Sequence, residues 1–409
     1  MLGAISNNHL EGNVMRKRLS FLLTALFVLS VINANSMVGT TKNLQILNDS
    51  QPKMIFPADD VPIALNGNNE VGAFSSVGSG NSNDPYIIEN VYIDMLNSGD
   101  NTSTSCVSIQ NTDVHILLRN ITVLGCSQGF YLTNVSHVAL SDINVVSSTE
   151  NGFWIGYSDH VTITNSRVSD SGVVGFFLSN NDEVTLIGNT AARSSFDGFL
   201  VETSERGIFT NNTSTNNTRN GFHLRWSDQQ TLDNNTSSEN GVSGFDFYET
   251  RYITVGNSTI MNNDYKGLNL QHSDYSVVAD SLIKANAKYG LGLYGSSRFN
   301  LIERNQFLDN NLDAGDGQAY DETTNNTFQH NYWSDHASNG SYTIAGKANN
   351  TDSHPQEHVT TSAGGTSALV SSESTVSTSD TTSSVNLYHF AILSSLIALM
   401  VFRFRKRQG

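Results

Sequence analysis

Four residues in one stretch of the chain, His223, Arg225, Asp246 and Glu249, carry side chains able to do acid and base work on a sugar. A carboxylic acid beside an imidazole can move a proton at a glycosidic bond or at the carbon next to a uronate carboxylate, and a nearby guanidinium steadies the charge that develops. They are the candidate catalytic residues. Aromatic residues occur at related spacings: Tyr131, Trp154, Tyr157, Phe177, Trp226, Tyr248 and Tyr294. Flat rings among carboxylates and amides suit the CH faces and hydroxyls of a glycan, so these seven are the candidate ligand-binding residues; rings stacked on one another along a sheet ladder are the competing reading. An acidic series, Asp159, Asp182, Glu205, Asp228 and Asp274, interrupted by Arg251, suits either Ca²⁺ or a solvated ridge. For copper the sequence offers His137 and His160 but no Met-x-x-Met or His-x-x-Met cluster. No metal is assigned, and no phosphate-binding, dinucleotide or Ser-His-Asp signature is present.

What must position these residues is a repeat. Gly129, Gly152, Gly175, Gly198, Gly221, Gly244, Gly267 and Gly290 are spaced by 23 residues. An apolar residue follows each glycine directly, from Phe130 to Leu291, and a second stands two positions further, from Leu132 to Leu293. Apolar, variable, apolar is the pattern of a strand with one buried face. A further apolar series runs from Leu140 to Leu301, and two positions beyond it a turn series, Asp142, Asn165, Gly188, Asn211, Asn234, Asn257 and Asp280, has residue types that tolerate left-handed backbone. A 23-residue unit is too short to close its own core and lacks an amphipathic helix, so the units must stack. The fold expected is all-β, a right-handed parallel β-helix of about 23-residue coils, with His223 directly under Asp246. The residue between the two buried strand positions then faces outward, which predicts an exposed stripe of Tyr131, Trp154 and Phe177. After Gly290 the register slips by two residues, and Asn305-x-Phe307 resumes it.

These coils resemble the parallel β-helix repeats of the NosD-like, carbohydrate-binding and sugar-hydrolysis group of surface proteins over roughly Asn81 to Pro355. The lead-in Gly78-Ser79-Gly80-Asn81-Ser82-Asn83-Asp84-Pro85-Tyr86-Ile87-Ile88 is similar to that of the group. Asn331-Tyr332-Trp333-Ser334-Asp335, then Tyr342-x-Ile344-x-Gly346 through Asn350-x-Asp352-x-x-Pro355, resemble its C-terminal signature. The resemblance implies end caps on the stack and, by the group's name, copper delivery or glycan processing. Asn111-Thr112-Asp113 is similar to one polygalacturonase signature, but the companion motifs of that family are missing, which argues against a pectinase.

The ends of the 409-residue chain read as export and anchoring signals. Arg16-Lys17-Arg18 precede the apolar run Leu19 to Ile32 and the small residues Ala34 and Ser36, so residues 1–36 read as a signal peptide, with Met15 a candidate initiator. Residues 37–77 form a lead-in and residues 78–358 the β-helix domain with its C-terminal cap. The Ser/Thr-rich residues 359–384 read as a stalk, 385–404 as a transmembrane helix and 405–409 as a basic cytoplasmic tail; a sorting tail is the alternative to a retained helix. That order places the β-helix outside the cell. Cys106 and Cys126 lie in the exported part, where a disulfide is chemically permitted, though their positions in the repeat are offset by three. Thirteen Asn-x-Ser/Thr sequons occur, and Asn101, Asn216, Asn339 and Asn349 are the first expected to carry glycans; those in the turn series are expected to be hidden in the ladder.

A net charge of −16 argues against a nucleic-acid partner, which calls for a basic stripe. The sequence therefore points to a cell-surface anchored protein that binds a polysaccharide or another envelope glycan along its long face. The alternatives are a tethered carbohydrate-active enzyme (a lyase, hydrolase or epimerase) and a structural or adhesive spacer.

Overall fold

A computed structural model describes residues 61–75, 77–96, 105–311, 315, 317–337 and 340–356. The signal peptide, stalk, membrane helix and basic tail read from the sequence lie outside these residues, as do Asn101 and Asn339. Among the described residues no helix is long and apolar enough to cross a membrane.

The architecture is an all-β parallel solenoid. Eleven strands form a front sheet, from Ile63–Asn66 through Phe153–Gly156 and Phe245–Tyr248 to Ala319–Asp321. The remaining strands pair coil on coil in a second, 21-stranded sheet that makes the other faces. From Val107 to Leu291 each front strand pairs with the one 23 residues on, so that Phe130 lies on Phe153, His223 on Asp246 and Asp246 on Asn269. The first front strand, Ile63–Asn66, falls within the segment read from the sequence as a lead-in.

The interior follows from the pattern. Phe130, Phe153, Phe176, Phe199 and Phe222 form a buried stack with centroids 4.6–4.9 Å apart, and Phe245 closes it edge-on. The 23-residue glycine has a steric cause: a Cβ at Gly152 would lie 2.6 Å from the Gly175 carbonyl oxygen and 2.3 Å from Val168 Cγ1. Turn residues Asp142, Asn165, Asn211, Asn234, Asn257 and Asp280 all have positive φ, as their types predict. They point outward and are exposed or half-buried. It is the next residue that enters the wall: Asn189, Asn212 and Asn235 are buried, each amide nitrogen donating to a carbonyl of the preceding coil and each amide oxygen accepting from it. These amides satisfy turn N–H groups that the sheets leave unpaired. The sequons at Asn211, Asn234 and Asn257 are therefore exposed, contrary to expectation, whereas Asn212 and Asn235 are hidden.

The register slip has two parts. One extra residue, not the two expected, enters the turn after Tyr294, where Gly295 has φ +68°, so Val278 pairs with Ile302 and Ile302, not Leu301, is the buried residue. A longer insertion then separates Leu291 from its partner Ala319. At the C-terminal end Trp333 is sandwiched between Phe307 and Tyr342, at 4.3 and 4.2 Å. The buried Asp352 carboxylate accepts from the Trp333 indole, the Asn331 side chain and the backbone N–H groups of His330 and Asn331. The segment resembling the family's C-terminal signature thus closes the open end of the stack.

Candidate functional site

The outward column of the front sheet changes character along the rod. Its first half is Tyr131, Trp154, Phe177 and Leu200. Tyr131 and Trp154 stack at 4.6 Å, and the Trp154 ring lies flat over Gly156, where a Cβ would meet it at 2.3 Å. Tyr131, Trp154 and Phe177 are half-buried, and Leu200 is buried. The exposed stripe expected from alternation is therefore a ladder of rings resting on the sheet and on one another, because a glycine two positions along leaves Trp154 room to lie down.

The second half is polar and buried to half-buried. His223 is 8% exposed and its Nδ1 lies 2.9 Å from Asp197 Oδ2, while its Nε2 faces Asp246 Oδ2 at 3.9 Å. The Asn269 amide donates to Asp246 Oδ1 at 2.7 Å and accepts from Lys266 Nζ at 2.9 Å. Lys266 is also 8% exposed and sits 3.7 Å from the centroid of the Tyr294 ring. Burial pulls its pKa down to about 8, against the pull of Asp246 and Glu322. The Tyr294 hydroxyl is pushed well above its ordinary range, first by burial and then by Tyr265, Tyr289, Tyr320 and Glu322 around it. Gly292 is needed here, since a Cβ would meet the Tyr294 ring at 2.5 Å. The result is a chain of contacts from Asp197 through His223, Asp246 and Asn269 to Lys266, crossing adjacent coils. A neutral imidazole that donates its Nδ1 proton to a carboxylate presents Nε2 as an acceptor.

Arg225 and Glu249 do not join this chain. Arg225 is held by Glu202 in the coil below and its guanidinium lies 5.0 Å from the Trp226 ring centroid. Glu249 accepts from the Trp226 indole at 3.0 Å and bonds the Tyr248 hydroxyl, which raises the Tyr248 pKa. The separation has a simple cause: Arg225 stands two strand positions beyond His223, and Glu249 is already in the turn, with φ +51°. Both residues instead fix Trp226, which is 48% exposed. A cleft of about 470 Å³ opens there, lined by Trp226, Asp228, Glu249, Arg251, His272, Asp274 and Ser296. An oriented indole face among carboxylates, a guanidinium and an imidazole can stack a sugar ring and hydrogen-bond its hydroxyls.

Reasoning from sequence missed Asp197 and Lys266. Both stand immediately before a repeat glycine, where other coils have residues such as Gln128, Asn220 or Tyr289, so a charge at that position was the available signal. It also missed an exposed ladder, Tyr252, Tyr275 and Phe299, stacked at 5.4 and 5.1 Å on a neighbouring turn. Of the remaining candidates, Tyr157 is exposed, as are Asn216 and Asn349. Cys106 and Cys126 are joined as a disulfide with Cα atoms 5.6 Å apart, so their three-position offset does not separate them.

A profile of the family described as "Periplasmic copper-binding protein (NosD)" matches residues 66–217, 100–265 and 197–350. The overlapping matches are what a repeat of short period produces. No curated protein matches the chain. Among solved structures, it is similar to the A-module of mannuronan C-5 epimerase AlgE4 from Azotobacter vinelandii: 14% identity, 72% of this chain and 98% of that one covered, TM-score 0.50. It is also similar to the AlgE6 A-module of the same organism, at 19% identity, 60% and 77% coverage and TM-score 0.48. A third is endo-xylogalacturonan hydrolase from Aspergillus tubingensis, at 13% identity, 68% and 94% coverage and TM-score 0.47. At these identities the likeness is one of fold.

The copper in the family description does not fit the described side chains. Among them no group of three or more His, Cys, Asp or Glu residues is placed to hold a metal ion. His115, His137 and His160 stand in consecutive coils, but their rings face one another at 4.4 and 5.3 Å, which sets their nitrogens side by side rather than converging. His137 Nδ1 is engaged by the Ser136 hydroxyl and His160 Nε2 by Glu183, and both cysteines are in the disulfide.

Proposed function

The chain belongs to the NosD family, and from that premise we propose that it is a surface β-helix protein that binds a glycan at the Trp226 cleft, held out from the membrane by the stalk and C-terminal helix read from its sequence. The observation that carries this reading is the exposed indole of Trp226, oriented by Glu249 and Arg225 at the mouth of a cleft rich in hydrogen-bonding groups. An exposed tryptophan held by two charged partners is placed for a ligand rather than for the core. The test is a glycan array probed with the full chain and with Trp226→Ala. Binding to one class of polysaccharide that the variant loses is the expected result, and binding unchanged in the variant would sink the proposal.

A second reading, a carbohydrate-active enzyme, is favoured by the chain from Asp197 to Lys266. In it, His223 Nε2 takes a proton from the sugar, with Asp197 holding the imidazole, and Asp246, held by Asn269, orients the substrate beside it. The described arrangement supports this for His223 and Asp246 and gives Arg225 and Glu249 no part in it. Turnover of a polysaccharide that disappears in Asp246→Ala but survives in Glu249→Ala is what this reading expects; turnover lost equally in both would contradict it.

A further inference from the structure

The Trp226 cleft is one end of a longer feature. A second cleft, of about 700 Å³, lies near the N-terminal end of the rod and is lined by Asn66, Asn111, Asn134, Tyr157, Asp113 and Asp159 among others. The two are cut into the same turn of the coil. Asn134, Tyr157, Asn180, Thr203, Trp226 and Glu249 follow one another at 23-residue steps, all with positive φ, and form one wall. The other wall is the single-residue ladder that bridges Asp159 to Asp182 and Asp182 to Glu205 and continues at Asp228. Tyr157, 64% exposed, and Trp226 are therefore two rings on one furrow, three 23-residue coils apart. At the usual spacing of paired strands that is about 14 Å along the rod. Between them that wall carries only Asn180 and Thr203, both exposed and small. Along that stretch the carboxylates of Asp159, Asp182, Glu205 and Asp228 face the guanidinium of Arg206, which bonds Asp182 and Glu205, and at the Trp226 end those of Arg225, itself held by Glu202, and Arg251.

We infer that this furrow is an extended binding site in which a linear glycan bearing amines rather than carboxylates lies parallel to the rod axis, one sugar stacked on Tyr157 and another on Trp226. The inference rests on the reading of the Trp226 cleft and adds to it a second subsite, a direction and a charge preference. Two rings at a fixed distance make binding depend on length, because a chain that reaches both gains the second contact at a high effective concentration. The acidic wall favours an ammonium and repels a uronate.

The test is calorimetry on the full chain with β-1,4-linked glucosamine as dimer and as hexamer, and with a galacturonate hexamer. The glucosamine hexamer is expected to bind roughly tenfold or more tightly than the dimer, and the galacturonate hexamer more weakly than either. Tyr157→Ala removes the length advantage and leaves dimer binding at Trp226 in place; Trp226→Ala weakens both. Thermal melts of the two variants, whose rings are exposed, show that the fold is kept. Equal affinity for dimer and hexamer, with dimer binding still lost in Trp226→Ala, overturns the furrow and leaves the Trp226 cleft standing. Tighter binding of the galacturonate hexamer overturns the charge preference, and no binding of the glucosamine hexamer overturns the inference as a whole. If no glycan of any class binds, the reading of the cleft fails first.

Discussion

The two halves of the front face occupy equivalent strand positions and share one backbone, yet they do different things. From Tyr131 to Leu200 the outward residue is apolar and lies against its neighbours; from His223 to Asn269 the same position carries an acid-base network that ends at Lys266, against the Tyr294 ring. Equal geometry with unequal chemistry shows that the repeat fixes where a side chain stands and leaves what it does to be set coil by coil. The apolar half is replaceable packing, whereas each member of the polar half is required by the next.

The largest effect expected lies beneath both halves. Phe199→Ala, in the middle of the interior stack, should cost about 3–5 kcal/mol in thermal or denaturant unfolding, because the neighbouring coils cannot collapse into the gap. A cost like that of a surface change would mean that the wall hydrogen bonds, not the ring stack, hold the coils together. Next is Asp197→Ala, which strips the partner from His223 and from the Asn220 backbone N–H. Leaving buried donors unpaired costs about 1–3 kcal/mol. Phe177→Ala, on the apolar half, should cost less than Asp197→Ala, since its ring is half-buried and leaves no polar group stranded. The reverse order would erase the distinction drawn between the halves.

A smaller effect concerns the histidine stack at the N-terminal end. Burial, and then the adjacent imidazoles, hold the His115 and His137 pKa values below the ordinary 6.5. Asp113 and Asp159 pull His137 the other way but do not prevail. The unfolded chain therefore binds protons that the folded coils refuse, so the contribution of these two histidines to stability is full above about pH 6.5 and shrinks as pH falls below it. Hydrogen-exchange protection across residues 116–146, taken relative to the intrinsic exchange rate at each pH, should fall between pH 7 and pH 5, and His137→Gln should flatten that dependence. An unchanged slope in the variant would show that other groups carry it.

Much of this was legible in the sequence because the repeat is strict. The glycine and phenylalanine columns and the left-handed turn residues could be placed by counting, since a solenoid converts sequence period directly into contact, whereas the capping segment at Asn331 to Asp335 was legible through its resemblance to a family signature. His223 beside Asp246 was legible for the same reason. Counting fails where direction rather than position decides. Glu249 is near Asp246 in sequence, but its left-handed backbone turns it toward Trp226. Trp154 occupies an outward position but lies down over Gly156, and Lys266 reaches Asn269 from the turn before the strand. The slip after Tyr294 needed one residue more than the 23-residue period, and only the pairing of Val278 with Ile302 reveals where it went.

The most direct test of glycan binding at the Trp226 cleft uses the protein's own fluorescence. Of its three tryptophans, Trp333 is buried in the cap and Trp154 lies on the sheet, which leaves Trp226 as the indole placed to report a ligand. A glycan selected from the array should shift and intensify tryptophan emission in the full chain, and the same titration of Trp226→Phe should show no spectral change. A shift that persists in Trp226→Phe would place the ligand elsewhere on the rod and contradict the account.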